Sequence, residues 1–173
     1  MNHPYDEIAD QYDRLWDSPE AHKEDQQIME RINYTNGAVL DIACGTGLFL
    51  DHHPSCEQYL GIDPSRGMLD QLLQKHPGRS VLCRSFESFS GKQTLKFDLA
   101  VSLFGSPSYI APAKLLYINE MLAANARLFF MFYAPGYVPE THKYIKTPPP
   151  IHEHNYSQYG RVSEFGNYLV VEQ

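Results

Sequence analysis

The sequence predicts an α/β fold, a three-layer sandwich around a mostly parallel sheet that ends in an antiparallel hairpin. Three observations predict it. Short apolar runs alternate with amphipathic stretches from Val39 to Tyr133, as strands joined by crossover helices do. The run "ARLFFMFYA" is apolar throughout, as expected of a strand covered on both faces. Near the C-terminus, "RVSEF" and "YLVVEQ" flank Gly166-Asn167, a hairpin turn signal.

Each element has its own reason. Residues 5–15 and 20–32 read as helices. The second is opened by Ser18-Pro19, with Ile28, Met29 and Ile32 at helical spacing. "GAVLDIA" is a buried strand broken by a glycine turn, and a short helix follows at about residues 47–52. "EQYLGID" is the second strand. "PSRGMLDQLLQKHP" is a helix with Met68, Leu69, Leu72 and Leu73 on one side, stopped by Pro77-Gly78. "SVLCRS" and "KFDLAVSLF" are the third and fourth strands. "APAKLLYINEMLAAN" reads as a helix with Pro112 in its first turn, and "ARLFFMFYA" as the fifth strand. Residues 134–157 carry Pro135, Pro139 and Pro148 to Pro150 without a helical period, which suits a long ordered loop or flap.

Bulk properties narrow the class. A length of 173 residues suits one domain, here residues 1–173, with a real core. The 43% hydrophobic and 20% charged content is that of a globular protein. A net charge of -7, with only 14 scattered basic residues, argues against a phosphate-tracking surface, so nucleic acid is not the expected partner. Three cysteines without CxxC spacing favour a reducing, cytoplasmic setting. The N-terminal stretch is acidic and unlike a signal peptide. No apolar run approaches the roughly 18 residues of a membrane span, so no membrane association is expected. The twelve tyrosines are either pocket lining or core edge.

Chemistry concentrates at Gly45-Thr46-Gly47. A dinucleotide fingerprint needs G-x-G-x-x-G, but Leu50 stands where the third glycine should be. No Lys-Ser/Thr pair follows, so a P-loop fits worse. What remains is an acid on the first strand, Asp41, a turn with two glycines, and Asp63 ending the next strand, 18 residues after Gly45. Adjacent strand ends of such a sheet face one crevice. There Asp63 can accept bonds from both hydroxyls of a ribose, the glycines admit a ligand against the backbone, and Asp41 favours a cation. A nucleoside bearing ammonium and sulfonium groups suits these acids better than one bearing phosphates.

"VLDIACGTGLFL" and "GIDPSRGML" resemble the first two motifs of the class I S-adenosylmethionine-dependent methyltransferases, whose small-molecule type this chain is most similar to. The likeness runs over about residues 5–133. Asp41, Cys44, Gly45, Thr46, Gly47 and Asp63 match the motif, and Ala43 stands where glycine is usual. The resemblance implies a Rossmann-like sheet and S-adenosyl-L-methionine as cofactor. It implies that Asp41 and the backbone of residues 43–47 meet the methionine part and ribose. Asp63 would hold the ribose hydroxyls, and Pro64, Ser65 and Met68 would border the adenine. Ser85, Phe86 and Glu87 become candidates for reading the base, with the family's acid displaced to Glu87. Ser102, Leu103 and Phe104 would pass the methionine end. "YDEIADQYD" resembles the family's lead-in helix, which makes residues 1–34 a helical lid. Tyr5 and Tyr12 would close over the cofactor or simply pin that helix.

The resemblance implies methyl transfer to a small molecule by in-line displacement, which needs alignment more than a dedicated base. No catalytic residue is identified. Tyr12, Tyr109 and His142 are the candidates, and no metal is expected. Ser106-Pro107-Ser108-Tyr109 differs by one residue from the motif of nucleic-acid amine methyltransferases, but is equally an ordinary turn. Tyr137, Tyr144 and Tyr156 lie in the flap beside His142, His152 and His154. Those histidines read as surface residues, without metal-site spacing. The family's helix between the fifth and sixth strands is replaced by the proline-rich segment. That predicts an open apolar face near residues 129–133, covered by the flap or by a second subunit in a homodimer. A non-catalytic module that binds the same cofactor, and an enzyme that uses it for other chemistry, remain alternatives.

Overall fold

The computed structural model describes residues 3–89 and 94–173. Among them, seven strands form one sheet in the order β3-β2-β1-β4-β5-β7-β6. The strands are β1 (Val39–Ile42), β2 (Tyr59–Asp63), β3 (Ser80–Cys83), β4 (Phe97–Ser102), β5 (Leu122–Tyr133), β6 (Arg161–Phe165) and β7 (Tyr168–Glu172). Strands β1 to β5 are mutually parallel, whereas β7 runs antiparallel to both β5 and β6. The hairpin turns at Gly166-Asn167, where Gly166 takes a φ of 55°. The order reverses between β1 and β4, so the crevice of the sheet opens where those two strands end.

Two apolar layers sandwich the sheet. One face packs against α2 (Pro19–Ile32), α3 (Leu48–His52) and α4 (Arg66–Lys75) through Ile28, Ile32, Phe49, Leu69 and Leu72. The other packs against the single turns α5 (Phe86–Phe89) and α6 (Pro112–Leu115), with Phe86, Phe89, Leu115 and Ile118 buried. Ser18 caps α2 by accepting the Ala21 N–H at 3.1 Å, and Pro19 opens the helix, as the sequence predicts.

Two expected elements are corrected. Residues 5–15 are not one helix. A 3-10 turn, Pro4–Glu7, is followed by the single turn α1 (Tyr12–Leu15). Asp6 accepts the His3 N–H at 2.8 Å and reaches across to α4, and this local side-chain bonding competes with a continuous helix. The helix expected over residues 111–125 stops early: α6 passes into a 3-10 stretch, Leu116–Glu120, and β5 begins at Leu122 rather than at Ala126. Buried Leu115, Ile118 and Met121 recur every third residue, the 3-10 period, and a bulge at Phe97/Leu99 lets β4 pair with the longer strand. The apolar face near residues 129–133 is covered by the flap, one of the two covers expected, and no residue there exceeds 6% exposure. Phe132 lies beneath His154, Tyr156 and Tyr159 of the flap and the 3-10 turn Tyr156–Gln158, so the proline-rich segment does the work of the replaced helix.

His154 accordingly is no surface histidine. It is 6% exposed, and burial holds its imidazole below the ordinary histidine range, with His152 adding to that. Both His154 Nε2 and His152 Nδ1 are buried without a hydrogen bond. Among the described residues, no helix is long and apolar enough to cross a membrane.

Candidate active site

The crevice between β1 and β4 is built on a strained loop. Ala43, Gly45 and Gly47 all have positive φ, at 57°, 53° and 97°. The Cys44 N–H donates to the Ile62 carbonyl at 3.1 Å and the Gly47 N–H to the Cys44 carbonyl at 3.0 Å, which closes the turn. A Cβ on Gly47 would lie 2.9 Å from Leu72, so the loop seats on α4 only with glycine there. At Gly45, by contrast, a Cβ would meet nothing within 4 Å. That leaves an open cradle beside the Gly45 backbone. Ala43 in the left-handed region carries strain glycine would relieve, so Ala43→Gly is expected to raise unfolding free energy by about 0.5–1 kcal/mol in urea denaturation.

Two carboxylates stand beside the loop. Asp41 is 3% exposed and accepts the Tyr59 hydroxyl at 2.9 Å. Burial, with a smaller push from Asp63, raises its carboxyl to about 7 against the Tyr59 bond. Asp63 is 7% exposed, and its two oxygens accept the Gly45 N–H at 2.9 Å and the Ser65 N–H at 2.8 Å. Burial pushes it up to about 6 despite those bonds. Each oxygen keeps a further acceptor position. Neither acid has a cationic partner in an ion pair among the described residues. Two such carboxylates fit a cationic ligand with hydroxyls to donate.

Both carboxyls titrate above their unfolded values. They therefore favour folding of the unliganded protein below about pH 4 and lose that contribution as the pH rises to about 7, on the order of a few kcal/mol together. Asp6 and Glu172, held low by hydrogen bonds, work the opposite way at the acid end. His3, His53 and His154, held low by burial, gain stability over the same range, so the carboxyl contribution is read as a difference. Between pH 5 and 8 the melting temperature of unliganded Asp41→Asn should fall less, or rise more, than that of the unsubstituted protein.

The remaining sequence candidates divide by where their atoms are used. Thr46 and Ser65 are buried and bind the N-terminal segment: Thr46 Oγ1 donates to Asp13 at 2.5 Å and Ser65 Oγ to Asp6 at 2.6 Å. Asp6 also accepts the Gly67 N–H at 2.9 Å, and Asp13 pairs with Lys75 at 3.0 Å. The segment around α1 is thus fastened across both loops. Cys44 turns inward beside Tyr59, its thiol pushed up by burial. Pro64 leads into Ser65, whose hydroxyl caps α4 by accepting the Met68 N–H at 3.2 Å, and Met68 itself is buried. Ser85 caps α5, the Phe86 ring is buried in the core of the opposite face, and Glu87 lies in that turn's first residues. Ser102 Oγ donates to the Ile42 carbonyl at 2.9 Å, binding β4 to β1; Leu103 is buried, and Phe104, with φ 49°, sets its ring edge-on to Tyr168.

Tyrosines that sequence reasoning left dispersed gather here. Tyr133 contacts Tyr109, Tyr137 and Tyr168 with ring centroids 6.1, 5.4 and 5.7 Å apart. Tyr5 and Tyr12 meet edge-on at 6.0 Å. Burial raises Tyr12 and Tyr133 well beyond the ordinary phenol range and pushes Tyr109 up to about 12, so all three are neutral phenols at physiological pH. Tyr144 is 53% exposed, and Tyr156 belongs to the layer over Phe132. His142 lies in the 3-10 turn Glu140–Lys143, and its side chain falls outside the described residues. Ser106–Tyr109 is a 3-10 turn whose Ser108 Oγ accepts the Tyr133 N–H at 2.9 Å, so this serine serves the fold. A cavity of about 400 Å³ lies elsewhere, where the parallel strands begin, lined by Arg31, Arg127, Arg161 and Glu172. Its guanidiniums are bonded to Glu172 and to the carbonyls ending α2.

Comparison with known proteins bears on the family and the fold. A family model described as a methyltransferase domain matches residues 39–125. No curated protein matches the sequence. Among solved structures, the DhpI-SAH complex is similar over 97% of this chain and 91% of its own, with a TM-score of 0.71 at 15% identity. DesVI of Streptomyces venezuelae is similar over 80% of this chain, with a TM-score of 0.59 at 20% identity; the chain spans 62% of its length. The sugar N-methyltransferase KedS8 from Streptoalloteichus is similar over 80% of this chain and 57% of its own, with a TM-score of 0.55 at 23% identity. At these identities the likeness to solved structures is one of fold.

Proposed function

Because the chain belongs to the methyltransferase domain family, we propose that it binds S-adenosylmethionine in the crevice between β1 and β4 and methylates a small-molecule acceptor. The observation that carries this reading is the pair of buried carboxylates, Asp41 and Asp63, without a cationic partner beside the open cradle at Gly45. Bound there, the cofactor supplies a sulfonium methyl group for in-line displacement by the acceptor.

The chain's own residues divide the labour. Asp41 holds a negative charge toward the aminoacyl-sulfonium part, Gly45 admits it against the backbone, and Asp63, oriented by two backbone N–H groups, receives the ribose hydroxyls. Pro64, Ser65 and Met68 border the base at the start of α4, with Ser85 to Glu87 across from them. Ser102 to Phe104 lead from β4 to the acceptor side. Tyr5, Tyr12 and α1 cover the site and exclude water, fastened by Asp6 and Asp13. The phenols of Tyr12 and Tyr109, neutral at physiological pH, orient an acceptor by hydrogen bonding and do not deprotonate it.

The relation of lid to ligand is measurable. Asp6→Ala combined with Asp13→Ala is expected to speed release of bound S-adenosylhomocysteine about tenfold in stopped-flow fluorescence, since charge-assisted bonds on both loops are lost. A change below twofold would count against a lid. The function itself is tested by mass-spectrometric product analysis with methyl-deuterated S-adenosylmethionine and a panel of small acceptors. Label in the acceptor together with S-adenosylhomocysteine is the expected result. Cofactor bound but never consumed would make the chain a binding module, and consumption without label transfer would indicate other chemistry.

A further inference from the structure

Resting on that reading, we infer that the acceptor is a small amine that arrives protonated and is received between two tyrosine walls with Glu24 at their rim. One wall is Tyr109, Tyr133, Tyr137 and Tyr168, from the loop after β4, the end of β5, the flap and the start of β7, with the Tyr133 ring in contact with the other three and Tyr137 with Tyr168. The other is Tyr5 and Tyr12 from the N-terminal segment. The walls lie within electrostatic reach of each other, since Tyr5 acts on Tyr109 and Tyr133, and Tyr12 on Tyr133 and Tyr168.

The charges around this space are one-sided. Among the described residues, the charged groups acting electrostatically on these tyrosines are Asp13, Asp25, Glu24, Asp63 and Glu140, with Lys143 as the single cation. His3, stacked on Tyr5 at 5.7 Å, is held below the ordinary histidine range by burial. Lys143 is itself paired with Glu140 at 3.2 Å. Glu24 acts on both Tyr137 and Tyr168, and its Oε1 lies 3.9 Å from where a Cβ on Gly166 would stand, at the β6–β7 turn. Burial and neighbouring Asp25 raise its carboxyl, as they would a group lacking a cation.

A second observation points the same way. Thr141 of the flap is 4% exposed, and its hydroxyl lies against that of Tyr5 without a well-formed hydrogen bond. A buried hydroxyl without a full partner beside a ring of phenols can take N–H donors from a ligand. Phenol faces attract ammonium groups, and the surrounding carboxylates add to that attraction while repelling carboxylates and phosphates. An anionic acceptor finds no described guanidinium or free ammonium here.

The chemistry balances. The ammonium sheds one proton to Glu24 or to water, the nitrogen lone pair forms the N–C bond as the methyl C–S bond breaks, and sulfur keeps the electron pair of that bond. The methylated nitrogen leaves as an ammonium. No further reactant is required.

Equilibrium binding separates this inference from the reading beneath it. Calorimetry first establishes whether the chain binds S-adenosylhomocysteine; failure there removes the cofactor reading and this inference with it. The loaded protein is then titrated with cyclohexylamine, cyclohexanol and cyclohexanecarboxylate, a series alike in shape and different in charge. The amine is expected to bind at least tenfold tighter than the alcohol, and the carboxylate weakest. Glu24→Gln, a half-buried position tolerant of an isosteric change, is expected to shrink the amine-to-alcohol ratio at least fivefold. Equal or tighter binding of the alcohol or the carboxylate, no binding by any of the three, or an unchanged ratio in Glu24→Gln would overturn the inference and leave the cofactor reading standing.

Discussion

Gly105→Ala is expected to lower the unfolding free energy by about 3 kcal/mol or more, combining left-handed backbone strain with overpacking. Gly105 has φ 80°, and a Cβ there would fall 2.2 Å from the nearest carbon of the Tyr133 ring. That ring cannot step aside cheaply. It is packed against Tyr109, Tyr137 and Tyr168, and the Tyr133 backbone N–H is bonded to Ser108 Oγ. Either the loop after β4 or the tyrosine wall must yield. Chemical denaturation measures the loss, and a value under 1 kcal/mol would show that the wall is not packed as described. Gly105→Ala with Tyr133→Leu should recover part of the loss, because the clash partner is gone.

The second large effect is on ligand affinity. Asp63→Ala should weaken cofactor binding by about 1.5–3 kcal/mol, the range of hydrogen bonds to a charged group, or roughly 10- to 150-fold. The reason is local. Asp63 is oriented from both sides, by the Gly45 N–H on the first loop and the Ser65 N–H on the second, so its free acceptor positions point in a fixed direction. Alanine removes the acceptor and leaves two N–H groups unpaired. The loss should be equal for S-adenosylmethionine and S-adenosylhomocysteine, because they share the ribose. Asp41→Asn should behave differently and weaken S-adenosylmethionine more, because that ligand alone carries the sulfonium charge. Equal losses for both ligands in Asp41→Asn would contradict the role given to its charge.

Much of this was legible in the residues. Strands β1 to β4 announce themselves by length and apolarity, and the Gly166-Asn167 hairpin by its turn chemistry. Asp41, the glycines of the loop and Asp63 were legible because their spacing places them at adjacent strand ends. What escaped were features decided by tertiary contact. Leu115, Ile118 and Met121 fit a helix in sequence, and only the pairing of Phe97 with Leu122 shows the chain turning into a strand. His154 lies in a polar, proline-rich stretch, yet Phe132 needs a cover and His154 helps supply it. Asp6 and Asp13 read as solvated charges until α4 and the first loop bring Ser65, Gly67 and Thr46 within reach. Tyr133 and Tyr168 belong to apolar strand runs, and nothing local tells that their rings stack on each other and meet Tyr137. Ala43 was visible as a departure from glycine, whereas its φ of 57°, and hence its strain, was not.

The central claim is that the crevice at the ends of β1 and β4 holds an aminoacyl nucleoside. Calorimetric titration of the folded protein with S-adenosylhomocysteine tests it most directly, because no acceptor need be known. One ligand per chain, with affinity reduced at least tenfold in Asp63→Ala, is the predicted result. No heat of binding from protein shown to be folded by circular dichroism, or affinity unchanged in Asp63→Ala, would contradict it.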